Sequence, residues 1–310
     1  MGIIDKIAGL FSFANEDKET VSDEIEPVVG LPATKAEDDH FYNGVKRVKR
    51  YQAYCSEGGL LKSCLESVWT YSPEGYLTEF TSYTSKGNVC EHYVFEYNEK
   101  NKLTKTFYND FLQTENKYDE TGLNNIEELT YGEDATVAQK WVGTYDESNH
   151  LVRGVTYVYI NGTCSVLSRS ESSYDAAGNH VNFSSEYEQD ASMNSKMEMQ
   201  YDERGNMISM TEYGPDGEFV SQNVYRKNDH GLEVLRTLLN AKGEIVARYE
   251  SDYDSQDNLL KWTSFGANGE IIVSSESSYK YDEKGNYIEQ INIENGAFDT
   301  AFVHELEYYD

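Results

Sequence analysis

Proline, cysteine and positive charge are all scarce in this chain, and each scarcity removes a class of protein. Only 4 of the 310 residues are proline, which excludes a proline-rich stalk and suits long stretches of paired strand. The 4 cysteines, Cys55, Cys64, Cys90 and Cys164, form no CxxC pair and no zinc spacing. Cys55 and Cys64 are close enough in sequence to bridge a hairpin, but four thiols make no dense disulfide framework, so reduced thiols are expected. Lys and Arg number 26 against 55 Asp and Glu, a formal charge of −29. A field of that sign repels phosphate backbones, which excludes nucleic acid and favours encounters with a basic protein.

Long apolar runs are missing too. None reaches the length of a membrane-spanning helix, so no transmembrane segment is expected. Met1 to Ala14 places Ile3, Ile7, Leu10 and Phe11 on one side of a short amphipathic helix. Asp5 and Lys6 cancel where a signal peptide carries its positive lead. The expected location is therefore cytoplasmic, with secretion as the alternative. Residues 15–40 hold nine acidic side chains against two lysines, the composition of a flexible acidic linker. The remainder, 41–310, reads as one β-repeat domain.

Catalytic signatures are absent as well. The six histidines (His40, His92, His150, His180, His230 and His304) form no HExxH and no His/Cys cluster, and there is no Gly-rich phosphate loop. Carboxylates abound, yet no pair is singled out for glycoside hydrolysis; Glu186 and Glu188 are one residue apart on a solvated strand face. No enzyme activity, cofactor or metal is expected.

What the chain does have is a repeat. Nine times, a residue that tolerates a left-handed backbone stands four positions after an anchor that is Tyr in all cases but Lys227. The nine are Gly75, Asn101, Gly122, Asn149, Gly178, Gly205, Gly231, Asp257 and Gly285, recurring at about 26 residues. Gly supplies positive φ freely, and Asn or Asp tolerate it. In Tyr-Asp-x-x-Gly the Asp side chain can accept backbone N–H bonds in a type I turn that ends in a bulge. A second Gly-marked turn follows in most units, at Gly87, Gly162, Gly217, Gly243, Gly269 and Gly296. Between turns, residues alternate with period two. Ile271, Val273, Ser275, Ser277, Tyr279 and Tyr281 share one face, opposite a mostly polar set.

These patterns set an all-β fold: a repetitive antiparallel meander, two strands per unit. A flat ribbon of about twenty strands would twist progressively and leave an aromatic face wet. The expected form is a sheet coiled into a curved strip or short spiral, with the N-terminal helix and linker in front. The anchors Tyr118, Tyr145, Tyr174, Tyr201, Tyr253 and Tyr281 form a ladder that reads first as packing and second as a binding face. The turn aspartates, one per unit and without a DxDxDG loop, read as turn caps rather than calcium ligands.

Tyr-Asp-x-x-Gly-Asn, present at Tyr174–Asn179, Tyr201–Asn206 and Tyr281–Asn286, resembles the YD repeats of Rhs-type proteins. The second turn, Gly-Pro-Asp-Gly217 or Gly-Ala-Asn-Gly269, resembles MORN-like antitoxin repeats. The resemblance covers residues 54–310 and implies strands curled toward a shell. The unit here is longer than a YD repeat, and no autoproteolytic core or toxin tail accompanies it. Three roles are expected in order: a non-catalytic protein-binding scaffold with an acidic surface, an immunity or antitoxin-like protein that neutralises a basic toxin, and a carbohydrate-binding cell-surface protein.

Overall fold

In the computed structural model, residues 34–36, 41, 43–56 and 59–310 are described. The helix expected over 1–14 and most of the linker expected over 15–40 lie outside them. Pro32–Asp310 forms one compact unit built from twenty strands. They are β1 (Val45–Ser56), β2 (Gly59–Tyr71), β3 (Leu77–Tyr83), β4 (Val89–Tyr97), β5 (Leu103–Tyr108), β6 (Phe111–Tyr118) and β7 (Asn125–Tyr131). Next come β8 (Val137–Tyr145), β9 (Leu151–Ile160), β10 (Thr163–Tyr174), β11 (His180–Tyr187), β12 (Ser195–Tyr201), β13 (Met207–Tyr213) and β14 (Phe219–Lys227). The last six are β15 (Glu233–Leu239), β16 (Ile245–Tyr253), β17 (Leu259–Gly266), β18 (Ile271–Tyr281), β19 (Tyr287–Glu294) and β20 (Ala297–Tyr308). Among the described residues the one helical turn is a short 3₁₀ segment, Ala191–Met193.

Each strand pairs antiparallel with the next, and β1 also pairs with β20, Val48 opposite Leu306 and Arg50 opposite His304. The sheet is therefore a closed barrel. This corrects the expected curved strip or spiral. Strand twist accumulates along the meander, and an open strip would leave two unpaired edges; closure satisfies both edge strands at once. Each strand packs against its sheet neighbours, with no second layer beyond a small contact between β2 and β20 across β1.

Cross-strand partners share a face, so the registers sort the side chains. One face carries the anchor tyrosines and the three tryptophans. Trp69 lies beside Phe80, Phe80 beside Tyr93, and Tyr93 beside Tyr108, with ring centroids 4.9–6.2 Å apart. Trp262 stacks on Tyr249 at 6.0 Å. Trp141 lies over Gly154, where an added Cβ would stand 2.8 Å from its indole nitrogen. The opposite face carries ion pairs, among them Lys105–Glu115, Lys261–Glu276, Lys280–Glu289 and Lys49–Glu307. The tyrosine face is the less exposed: on β18, Val273, Ser275, Ser277, Tyr279 and Tyr281 are half-buried, while Glu276, Ser278 and Lys280 are exposed.

The N-terminal side of the unit is fastened to the sheet. Ala36 N–H donates to Gly75 O and Leu77 N–H to Thr34 O, at 2.8 and 2.9 Å. Phe41, 4% exposed, stacks on Tyr287 and meets His304 edge-on. At the other terminus, Tyr309 N–H donates to Gly44 O, and its hydroxyl donates to Tyr71 O at 2.6 Å.

Candidate functional site

The hairpin connections fall into two rims. Nine of them, from β2–β3 to β18–β19, form the first rim, and each holds one of the nine repeat positions. There φ lies between 56° and 85°, the left-handed region. At Tyr201 the register shifts by one residue, so that Tyr201 faces Met207 across a five-residue connection. Gly205 N–H donates to Asp202 O and Asp202 N–H to Asn206 O, which closes a type I turn with a bulge. Asp202 Oδ1 accepts from the amides of Arg204 and Asn206, both at 2.9 Å, and Oδ2 from Asn206 Nδ2 at 3.1 Å.

Asp146, Asp175, Asp254 and Asp282 repeat this bonding. Asn98 and Asn228 do the same with an amide oxygen. Hydrogen bonds to the charged form hold the carboxyls below the usual aspartate range: the Asn179 and Asn206 side chains lead at Asp175 and Asp202, and the His150 amide leads at Asp146. These oxygens are occupied by their own turn, so they are poorly placed to ligate calcium. Among the described residues no three His, Cys, Asp or Glu side chains gather as a metal site.

The six anchor tyrosines lie on one face as a ladder, and each hydroxyl is engaged. Tyr118, Tyr145, Tyr174, Tyr201 and Tyr253 donate to the carbonyls of Leu103, Asn125, Leu151, His180 and Glu233 at 2.7–3.0 Å. Tyr281 instead donates to the Asp254 carboxylate, as Tyr308 does to Asp282. Five of the six rings therefore fasten their strand to the start of the strand before it, and Tyr281 fastens its own to the β16–β17 turn. An open groove of about 830 Å³ lies on this rim between the turns of Asp175 and Asp202, floored by Val181, Met199 and Ile208. Its aspartates are the same turn-bonded groups.

Ten connections make the second rim. This rim carries what the sequence reading missed. Where Gly-Glu is followed by an apolar residue, the Glu hooks back on the turn, as Glu218 does on the Asp216 amide and Glu270 on the Asn268 amide. The isoleucine of two such strings is left outside, Ile245 52% exposed and Ile271 62%, while Phe219 is half-buried. The recurring Gly-Glu-Ile or Gly-Glu-Phe string was a visible signal. Its exposure was not, because period-two alternation assigns a face but no neighbour.

No protein family matches this sequence, and no curated protein does. Structural likenesses are remote. A chain of the TcdB2–TccC3–Cdc42 structure is 8% identical, with 76% of this chain covered and a TM-score of 0.22. This chain spans about a fifth (19%) of that protein's length. A porin-like protein from Bacteroides uniformis is 9% identical over 85% of this chain and 96% of its own, with a TM-score of 0.35. A second, from Bacteroides vulgatus, is 12% identical over 70% and 94%, with a TM-score of 0.30. Likenesses this remote say nothing of activity.

The closed barrel nevertheless corrects two expectations. The expectation of no transmembrane segment came from apolar run length, which tests helices alone, and that of a cytoplasmic location from the missing positive lead of a signal peptide as well. A closed barrel, here sealed by the β1–β20 pairing, satisfies its backbone around the ring and is the form in which strands cross a bilayer. Both expectations are withdrawn.

Proposed function

We propose that this chain is a non-catalytic, protein-binding barrel whose partner is basic. What carries the reading is where the reactive groups go. The turn carboxylates accept from the backbone amides of their own turns, and five of the six anchor hydroxyls donate to backbone carbonyls, the sixth, Tyr281, to the Asp254 carboxylate. The groups most open to a chemical role are thus spent on the fold, and the property left over is the acidic field of a chain with charge −29. Such a field speeds encounter with a positively charged protein and weakens with salt. Kinship with YD-repeat shells belongs to the same reading, supported by the Tyr-Asp-x-x-Gly turns.

The test is binding by the full chain immobilised at low ionic strength, against identified basic proteins purified from its native lysate and against acidic controls. A basic partner that binds stoichiometrically and is released by salt is the expected result. If acidic and basic proteins bind equally, or salt has no effect, the reading fails. Toxin neutralisation is a special case, favoured if the neighbouring gene encodes the basic partner. Carbohydrate binding through the tyrosine ladder has less support, since its hydroxyls are already bonded.

A further inference from the structure

The two rims place equivalent residues in unequal surroundings. Two positions after the left-handed residue of the turn, the first rim has Leu77, Leu103, Leu151, Met207 and Leu259, and the second rim has Val89, Val137, Phe219, Ile245, Ile271 and Phe298. Leu77 is 1% exposed, and Leu103, Leu151 and Met207 are half-buried. On the second rim Val89, Ile245, Ile271 and Phe298 are 52–62% exposed and Val137 and Phe219 half-buried, whereas the most open of the first-rim set, Leu259, is 37% exposed. The difference has a local cause. At Leu77, Leu103 and Leu151 an anchor tyrosine from the following unit (Tyr97, Tyr118 and Tyr174) crosses over and bonds the carbonyl of that very residue. On the second rim the tyrosines before the turns point elsewhere: Tyr131 and Tyr213 bond the strand carboxylates of Glu115 and Glu198.

The asymmetry extends around the ring. Nine large hydrophobic residues among those described are more than half exposed, and all nine lie within three residues of a second-rim connection. They include Phe111 at 66% and Ile160 at 55%. Isolated exposed apolar residues are ordinary, but a set confined to one end of a barrel marks a contact surface. The described connections of this rim also carry nine acidic side chains against two lysines, Lys86 and Lys242. Apolar tips alternate with carboxylates, as in Glu244-Ile245 and Glu270-Ile271.

We infer that the second rim is the docking end of the barrel, and that its occupant is a cationic protein segment with apolar side chains. This deepens the protein-binding reading and rests on it. The apolar collar selects for buried hydrophobic contact, and the carboxylates select the sign of the flanking charge. The same carboxylates disfavour two other occupants: a second copy would set like charge against like, and an anionic lipid surface would be repelled.

The experiment uses the full chain and two probes, an amphipathic lysine–leucine peptide and a lysine homopolymer of equal charge. The fourfold variant Val89→Ser, Ile245→Ser, Ile271→Ser, Phe298→Ser changes only side chains already in solvent, so folding is retained and is checked by circular dichroism. Leu123→Ser, at a first-rim residue 48% exposed, is the control. We expect the amphipathic peptide to bind the wild type and the control alike, with affinity at least tenfold weaker for the fourfold variant and homopolymer binding unchanged. If the fourfold variant binds the amphipathic peptide as the wild type does, the rim assignment is wrong while the basic-partner reading stands. If neither probe binds the wild type, the basic-partner reading itself fails. Collar-dependent binding to phosphatidylcholine vesicles in place of the peptide, or collar-dependent dimerisation in sedimentation, would overturn the proposal in favour of lipid or a second copy.

Discussion

Gly205 illustrates what one residue contributes. Its φ of 80° is open to Gly, tolerated by Asn and strained for a β-branched residue. Asn already fills the equivalent positions 101 and 149 with φ of 56° and 64°. Gly205→Val should therefore destabilise the fold by about 1–2 kcal/mol, and Gly205→Asn by clearly less, as read from urea midpoints. Equal losses for the two would show that space, not backbone conformation, governs the site. The turn aspartates add a pH dependence. Their folded carboxyl values lie below the ordinary 3.8, so the stability they contribute is present above that value and is lost as pH falls through the folded values. The melting temperature should drop in acid below about pH 4. The triple variant Asp146→Asn, Asp175→Asn, Asp202→Asn keeps the turn bonds, as Asn98 and Asn228 do, and should show a shallower acid loss. Identical pH profiles for variant and wild type would rule these carboxylates out as its source.

Within the strand pair, the tyrosine ladder is the joining device. Tyr201 reaches across from β12 to the His180 carbonyl at the start of β11, 2.9 Å away. Tyr201→Phe keeps the ring and removes one hydrogen bond, so a loss of about 0.5–1.5 kcal/mol is expected in chemical denaturation. No measurable loss would mean that the ring alone makes the contact. This scale also explains how far the sequence could be read. Turn position, strand alternation and the tyrosine face were legible, because the groups that set them lie within a few residues of each other. The use of the hydroxyls was not, since for five of the six the acceptor is a backbone carbonyl some 15–23 residues away and backbone acceptors leave no mark in the sequence. The same limit hid the collar: Ile245 and Ile271 looked like ordinary strand starts until the absence of a covering tyrosine was visible.

At the scale of the whole barrel, stability depends on a seam. β20 joins β19 to β1, and Tyr309 ties the C-terminal end to Tyr71. Removing 297–310 would bare β1 and β19 as long edges, which are templates for further strand pairing. The truncated chain should elute as oligomers or aggregate in size-exclusion chromatography; a well-behaved monomer would show that closure is dispensable.

Sequence alone determined the turns, the strand period and the sign of the field, because left-handed residues, side-chain-to-backbone bonds in the turns and net charge are all local or additive. Closure of the ring, and the bare second rim that follows from which tyrosine covers which strand, were decided by the tertiary structure. The pairing of β1 with β20 joins residues more than 250 positions apart, as Tyr51 and Glu305 are, and it is selected by accumulated twist and the removal of two free edges, quantities that no single segment of the chain contains.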